Sequence, residues 1–268
     1  MKQRIITAII ALIIFLPILW YGGWPLEALL VLLAIIAVKE LFTMKKHPIR
    51  TPEFVLTSFA TASLLVGNHF LGSNEATFNY SPFALFLFSA ILMLSLTVFR
   101  YDRINFDDVA VFILGALYIG VGFNGIIITR NISFSAVLLL FIIIWSTDSF
   151  AYLIGRRFGK HKLAPHISPN KTIEGSVGGS LVTALVALVF NFFFQPIALR
   201  TIIFIIMVLF ISVSGQIGDL VESSFKRYYK VKDSGNLLPG HGGVMDRFDS
   251  TFFAMFAFQI VLALLSYY

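Results

Sequence analysis

The sequence predicts an all-α, polytopic membrane protein with about nine transmembrane helices. Of its 268 residues, 58% are hydrophobic and only 13% are charged, whereas a soluble domain carries about 25% charged residues. Long apolar runs recur along the whole chain, and Lys and Arg gather in alternate connecting segments. A soluble fold this apolar could not cover its surface with polar groups, so lipid is the expected solvent for most of the chain.

Each predicted span is a mostly apolar run of about 20 residues, the length that a helix needs to cross a bilayer. No stretch has the alternating pattern that a membrane β-barrel requires. The nine runs are approximately 4–22, 25–43, 54–72, 82–99, 109–128, 133–154, 173–194, 201–221 and 250–267.

The first run follows two basic residues, as the apolar part of a signal peptide does. No small-residue cleavage site comes after it. Instead, Trp20, Tyr21 and Trp24 follow, and aromatic residues are typical of the membrane interface. We therefore interpret this run as a retained first span rather than as a cleaved signal.

The basic residues predict the orientation of the spans. A cytoplasmic N-terminus places 18 of the 20 Lys and Arg residues in cytoplasmic segments and leaves only Arg130 and Arg200 outside. Cytoplasmic loops of membrane proteins carry such an excess, so we expect the C-terminus to lie outside. The same rule explains the net charge of +6 without a nucleic-acid partner. The two longest polar stretches, 156–172 and 223–249, then face the cytoplasm.

Acidic residues divide the chain into two predicted parts. Acids near a membrane interior are costly and mark function. The first half has few within its spans, chiefly Glu40, so residues 1–105 are predicted to be scaffold helices and 106–268 the catalytic unit. The acids of the second half are Asp148, Glu174, Asp219, Glu222, Asp246 and Asp249.

Cysteine is absent from the sequence, which excludes disulfides and thiolate metal sites.

A polar helix face is predicted at the end of the eighth span. If the helix continues there, four polar residues at i, i+3, i+4 and i+7 share one face. Carboxylates followed by Lys226 and Arg227 suit a divalent metal with phosphates beyond it. The alternative is a simple interfacial helix end with a Glu222–Lys226 ion pair. The four residues are Asp219, Glu222, Ser223 and Lys226.

The stretch before the last span reads as a loop because it is rich in Gly, Pro, Asn and Ser. Gly240, Gly242 and Gly243 flank His241, so backbone amides there could approach a phosphate closely. Asp246 and Asp249 follow at the start of the last helix and can face the same way; alternatively, they only satisfy the helix dipole.

The other polar stretch ends at the seventh span. Ser168 or Asn170 is the expected N-cap, and Lys171 beside a helix start predicts an anion site. Gly175 and Gly179 form a GxxxG pair, which favours close helix packing. For Asp148, which has hydroxyl residues on both sides, a buried hydrogen-bonded network is the alternative to a functional role.

These motifs resemble the signature of the phosphatidate cytidylyltransferases, also called CDP-diacylglycerol synthases. The similarity covers about 27 positions, and the segment from Ser168 to Gly175 resembles a second family element. The matching residues are Ser223, Phe225, Lys226, Arg227, Lys232, Asp233, Gly235, Leu238, Pro239, His241, Gly242, Gly243, Asp246, Arg247 and Asp249.

The resemblance implies the reaction of CTP with phosphatidate to give CDP-diacylglycerol and pyrophosphate in phospholipid biosynthesis. It implies dependence on Mg²⁺, with a second, monovalent cation such as K⁺ as an option, and a homodimer. It places the protein in a bacterial inner membrane with the active site facing the cytoplasm.

Both substrates are polyanions, so the chemistry requires positioning and charge neutralisation rather than a strong base. With the resemblance, this implies that Asp219 and Asp246 hold Mg²⁺ with Asp249 in support, and that Asp148, Glu174 and Glu222 support the site or a second cation. Phosphates would be held by Lys171, Lys226, Arg227 and Arg247. The other substrate contacts would be Asn170, Ser223, Lys232, Asp233, Asn236, His241, Gly242 and Gly243.

Two other functions are compatible with these residues. A CTP-dependent polyprenol kinase would use the same nucleotide and metal but transfer the γ-phosphate to an alcohol. A membrane transporter would be expected to show internal repeats and interrupted helices near the midplane. Here no repeat is visible, and the polar residues gather at the cytoplasmic end of the last helices.

Overall fold

The computed structural model describes residues 2–66, 81–237 and 242–265, and the side chains from residue 10 onward. This part of the chain is mostly helical. The elements are α1 (Lys2–Tyr21), α2 (Gly23–Met44), α3 (Pro52–Val66), α4 (Pro82–Phe99), α5 (Phe106–Ile132), α6 (Phe134–Phe158), β1 (Lys162–Ala164), β2 (Ser168–Thr172), α7 (Ile173–Phe194), α8 (Thr201–Tyr228) and α9 (Met245–Leu265).

Each predicted span falls in a helix of its own, but several helices extend beyond their apolar runs. α8 continues beyond residue 221 to Tyr228, and α9 begins at Met245 rather than near residue 250. Hydropathy detects only the apolar part of a helix, whereas the backbone stays helical through polar residues that contain no Gly or Pro. The predicted residues 67–72 and 266–267 lie outside the described part.

Six helices in the described part are long and apolar enough to cross a membrane: α4, α5, α6, α7, α8 and α9. Shorter apolar helices occur at Ile10–Tyr21 and Pro52–Val66. α2 has a suitable length but carries Glu27, Lys39 and Glu40. The chain is therefore a polytopic helical membrane protein.

The chain divides into two compact units. One comprises Met1–Ile127 and Asp233–Met245, and the other comprises Ile128–Lys232 and Asp246–Tyr268. The predicted division into 1–105 and 106–268 concerned where catalysis takes place, and it stays a prediction.

In the first unit, α3 packs against both α2 and α4. The rings of Phe42 on α2 and Phe112 on α5 stack with their centroids 4.0 Å apart. Glu53, at the start of α3, is buried and accepts a hydrogen bond of 2.9 Å from Arg100 Nη1 at the end of α4. An aromatic cluster and a buried ion pair thus join these helices.

In the second unit, α6 and α7 approach very closely. A Cβ added to Gly175 would lie 2.6 Å from the carbonyl oxygen of Ala151, and one added to Gly179 would lie 2.7 Å from the Ala151 nitrogen. Such distances leave no room for a side chain, so the packing interpretation of the GxxxG pair is confirmed.

A buried hydroxyl network joins α6, α7 and α8. Thr147 lies 2.8 Å from Ser212 and 3.2 Å from Thr183, and Ser180 lies 2.9 Å from both Ser212 and Gln216 Nε2. Thr147 of this network directly precedes Asp148, whereas the side chain of Asp148 itself is exposed. The role of Asp148 stays a prediction.

The connection from α6 to α7 differs from the prediction. It contains an antiparallel hairpin in which Lys162 pairs with Thr172 and Ala164 with Ser168. Neither Ser168 nor Asn170 caps α7, because both belong to β2. The chain stays extended up to Thr172, whose hydroxyl accepts the N–H of Gly175 at 3.2 Å. The predicted cap at Ser168 or Asn170 was wrong.

Candidate active site

The polar face predicted at the end of α8 is present. Ser223 Oγ donates to Asp219 Oδ1 at 3.3 Å, and Lys226 Nζ donates to Glu222 Oε2 at 2.6 Å. Both contacts join residues four apart, as helical geometry requires. The Glu222–Lys226 ion pair considered as the alternative therefore exists, but it forms part of a larger cluster.

Lys226 also reaches the start of α9. Its Nζ lies 2.7 Å from Asp246 Oδ1, so one ammonium group joins carboxylates on two helices. The side chains are 13% exposed for Lys226, 5% for Asp246 and 0% for Glu222. Since burial takes these charges out of water, each depends on the others for compensation.

A second ammonium group joins α8 to the end of β2. Lys171 Nζ donates to Asp219 Oδ2, and both side chains are 27% exposed. Lys171 directly precedes Thr172, the cap of α7. The lysine predicted to bind an anion therefore stands beside a helix N-terminus, where an anion is also favoured by the helix dipole.

α9 can approach α8 closely because of Gly218. A Cβ there would lie 2.6 Å from the carbonyl oxygen of Asp249 and 2.9 Å from Phe253 Cβ. Asp148 interacts electrostatically with Asp219 and Asp249, and also with Lys171 and Arg247. Carboxylates from α6, α8 and α9 therefore share one region of the second unit.

The oxygens of this region suit a hard cation. Asp219 and Asp246 each already hold a positive group, the ammonium of a lysine. Among the described residues, no group of three or more His, Cys, Asp or Glu is arranged to hold a metal ion by itself. Mg²⁺ often takes only one or two carboxylates and completes its shell with water and substrate phosphates. Such an ion therefore fits the donor set as part of a complex with a phosphate substrate.

Three other predicted residues of this unit have different surroundings. Both carboxylate oxygens of Glu174 accept backbone N–H groups of Lys160 and His161, at 3.0 to 3.2 Å, and Oε1 lies 2.6 Å from His161 Nδ1. Arg227 Nε donates to the Ile167 carbonyl at 3.3 Å. Glu174 and Arg227 thus hold the hairpin segment between α6 and α7. Their predicted roles toward a cation and phosphates, like that of the exposed Arg247, stay predictions.

Two substrate contacts predicted in this unit, Asn170 and Lys232, are exposed to solvent. Asn170 lies in β2, and Lys232 follows the end of α8. Their exposure leaves them accessible to a ligand, and their binding roles stay predictions.

The remaining predicted contacts belong to the first unit, in the segment Asp233–Met245. Asp233 and Asn236 are exposed. Gly242 has φ of +81°, which only glycine adopts readily. Gly243 is buried. His241 lies outside the described residues.

Sequence reasoning missed Glu40 as a partner of this segment. Its Oε1 accepts the N–H of Val244 at 2.7 Å, and its Oε2 accepts the N–H of Met245 at 2.9 Å and the hydroxyl of Ser234 at 3.0 Å. The sequence did show an isolated acid at the end of an apolar helix. It gave no sign that the partners lie about 200 positions further along the chain.

Known proteins resemble this chain over its whole length. The sequence profile of the Cytidylyltransferase family matches residues 2–265. A phosphatidate cytidylyltransferase of Staphylococcus haemolyticus is 42% identical over 98% of this chain and 99% of its own length. The proteins of the same name from Bacillus subtilis and Staphylococcus saprophyticus are 41% and 42% identical, over 99% and 98% of this chain and 99% of their own lengths. The chain therefore belongs to the cytidylyltransferase family.

Proposed function

We propose that this protein is a phosphatidate cytidylyltransferase, which converts CTP and phosphatidate to CDP-diacylglycerol and pyrophosphate. The single observation that carries the proposal is the position of Lys226 between Glu222 and Asp246. This cluster places one ammonium group and two carboxylates together on two helices of a membrane protein. The ammonium group can compensate phosphate charge, and the carboxylates can hold a divalent cation. The full-length similarity to proteins of this name supports the same reaction.

The proposed step is a substitution at phosphorus. An oxygen of the phosphatidate phosphate forms a bond to the α-phosphorus of CTP, and the bond from that phosphorus to the bridging oxygen of pyrophosphate breaks. The attacking phosphate is already anionic near neutral pH, so no side chain has to remove a proton. The protein contributes alignment of the reacting groups and compensation of their negative charge.

The basic residues of the second unit would supply that compensation. Lys226 and Lys171 hold carboxylates in the free protein and would turn toward the phosphates when substrates bind. Arg227 and Arg247 would add further phosphate contacts. Because ammonium groups bind phosphate as mobile point charges, such a change of partner needs only side-chain rotation.

Asp219 and Asp246 would hold Mg²⁺, with Asp249, Glu222 and Asp148 supporting them or a second cation such as K⁺. When bound, Mg²⁺ would offset the charge of the triphosphate. Release of Asp219 and Asp246 from their lysines would leave both carboxylates available to the metal. The two changes are complementary, since each lysine moves to an anion and each carboxylate gains a cation.

The orientation and setting are part of the proposal. Nine spans, a cytoplasmic N-terminus and an external C-terminus agree with the distribution of Lys and Arg. CTP is a cytosolic compound, so a site facing the cytoplasm fits its supply. We further propose a bacterial inner-membrane location and a homodimer, as in the family that the sequence resembles.

The fate of labelled CTP tests this function. Purified protein in detergent is given phosphatidate or a polyprenol together with CTP labelled at either the α- or the γ-phosphate. We expect the α-label to enter lipid with phosphatidate, and the γ-label to appear in pyrophosphate. Transfer of the γ-label to the polyprenol would instead identify a lipid kinase, and no transfer to either lipid would exclude both enzymes.

A further inference from the structure

We propose that Glu40 is a positioning residue that fixes the two described parts, 233–237 and 242–245, of the segment leading into α9, together called the Glu40-bound loop, for binding of CTP. The inference rests on the proposed function and on the substrate contacts that the resemblance implies at Asp233, Asn236, Gly242 and Gly243, which we assign to CTP. Glu40 itself lies on α2, a helix that no part of the proposed chemistry uses.

The Glu40 carboxylate binds both ends of this loop. It accepts a hydrogen bond from the hydroxyl of Ser234 near the start of the loop, and hydrogen bonds from the backbone N–H groups of Val244 and Met245 at the end of the loop. Glu40 is 6% exposed, Ser234 3%, and Val244 and Met245 2% each. Water therefore cannot readily replace the three hydrogen bonds, so their loss would be costly.

The backbone amides of Val244 and Met245 lie at the N-terminus of α9, which begins at Met245. The first N–H groups of a helix have no partner within the helix, and an anion is favoured beside them. Glu40 satisfies two of these amides from another helix. It therefore also fixes the point at which the loop ends and α9 begins.

Two glycines of the loop make room for this carboxylate. A Cβ on Gly235 would lie 2.7 Å from Glu40 Oε1 and 2.8 Å from Glu40 Cδ. A Cβ on Gly243 would meet the carboxyl group of Glu40 and the hydroxyl of Ser234. Gly235 does not have a positive φ, so close packing, rather than backbone conformation, explains why glycine is needed there.

Fixing both ends of the loop has a consequence for ligand binding. A loop with loose ends samples many conformations, and only the fraction that matches the ligand can bind it. The apparent affinity for CTP falls in proportion to that fraction. Phosphatidate is not assigned to this loop, so its binding should be affected much less.

The experiment compares Glu40→Gln with Glu27→Gln. Both acids lie on α2 and both are 6% exposed, but only Glu40 binds the loop in the contacts described above. A glutamine keeps one acceptor oxygen and turns an NH₂ group toward a backbone N–H or the serine hydroxyl. We expect Glu40→Gln to raise the KM for CTP by about 10-fold, with the KM for phosphatidate changed less than about twofold. Glu27→Gln should change neither KM.

If the wild type is active and Glu40→Gln has the same KM for CTP as the wild type, the positioning role is overturned. An equal rise in both KM values would also overturn it, because that result indicates a general structural defect. Absence of CDP-diacylglycerol synthesis by the wild type would instead contradict the proposed function, so the two failures are distinguishable.

Ser234→Ala keeps the inference testable if Glu40→Gln does not fold. It removes one of the three hydrogen bonds and leaves both amides bound. We expect a rise of about threefold in the KM for CTP and a smaller stabilisation of the protein by CTP in thermal unfolding. A normal KM with normal stabilisation would contradict the proposal.

A double-substitution cycle supplies an independent measurement. The methyl group in Gly235→Ala displaces the Glu40 carboxylate, so this variant should also raise the KM for CTP. In a Glu40→Ala background the methyl group has space, and Gly235→Ala should add little. Additive effects of the two substitutions would show that Gly235 does not act through Glu40.

Discussion

Lys226 Nζ lies between Glu222 Oε2 and Asp246 Oδ1, at 2.6 and 2.7 Å. One buried cation therefore compensates two buried carboxylates from α8 and α9. If the lysine turned toward a phosphate, the carboxylates would be left to repel each other unless another cation took its place. This relationship couples phosphate binding to cation binding in the proposed enzyme.

Replacing Lys226 should affect stability and activity separately. Lys226→Met removes the ammonium group that lies between Glu222 and Asp246, and we expect the free energy of unfolding to fall by about 3 kcal/mol. Turnover should fall by at least about 100-fold, because an electrostatic contact to the reacting phosphates is lost. Thermal unfolding in detergent and pyrophosphate release measure the two effects.

The double variant Lys226→Met with Glu222→Gln serves as the control. Removing one carboxylate should restore much of the stability but none of the turnover. Recovery of turnover together with stability would show that Lys226 has only a structural role.

Asp246→Asn tests the proposed metal ligand. The amide oxygen can still accept from Lys226, so we expect the fold to survive. We expect turnover to fall at least about 1,000-fold, since an amide is a poor ligand for Mg²⁺ and the charge compensation in the site is lost. Turnover at saturating CTP over a range of Mg²⁺ concentrations measures this effect.

Asp107→Asn is the matched control, because Asp107 is an exposed acid in the first turn of α5. It should keep wild-type turnover. Near-wild-type rates in Asp246→Asn would show that the metal assignment is wrong.

Lys171 should be distinguishable from other basic residues of the same region. Lys171→Ala removes the partner of Asp219, and we expect kcat/KM for CTP to fall more than about 10-fold. Lys160→Ala removes an exposed basic side chain from the connection between α6 and α7 and should have little effect. Equal losses in the two variants would indicate that only the overall positive charge of this segment matters.

The orientation can be tested because the chain contains no cysteine. Single cysteines at Lys162 and Arg200, both exposed, should react differently with a maleimide that cannot cross membranes. We expect labelling of Arg200→Cys in intact cells and of Lys162→Cys only after the cells are made permeable. The reverse labelling pattern would show that the true topology is the inverse of the proposed one.

Hydropathy predicted the nine helices found in the described ranges of the chain, because lipid requires long apolar segments whose backbone hydrogen bonds are internal. Helical periodicity also predicted the shared face of Asp219 and Lys226, since residues four or seven apart lie on the same side of a helix. The β1–β2 hairpin was missed because its strands are short and polar, and Pro165 and Pro169 read as loop residues.

The partners of Glu40 could not be predicted for a different reason. The contacts of Glu40 with Ser234, Val244 and Met245 join positions separated by about 200 residues. Local propensity and periodicity contain no information on such pairs. The same holds for Lys171 and Asp219, whose individual importance was predicted but whose ion pair was not.

The most direct test of the central claim is the nucleotide requirement of the purified protein. Phosphatidate and Mg²⁺ are supplied with CTP, UTP, ATP or GTP in turn, and both pyrophosphate and the lipid product are measured. We expect CDP-diacylglycerol and pyrophosphate in equal amounts with CTP, and much slower reaction with the other nucleotides. Pyrophosphate release without preference for CTP, or without a CDP-lipid product, would contradict the account.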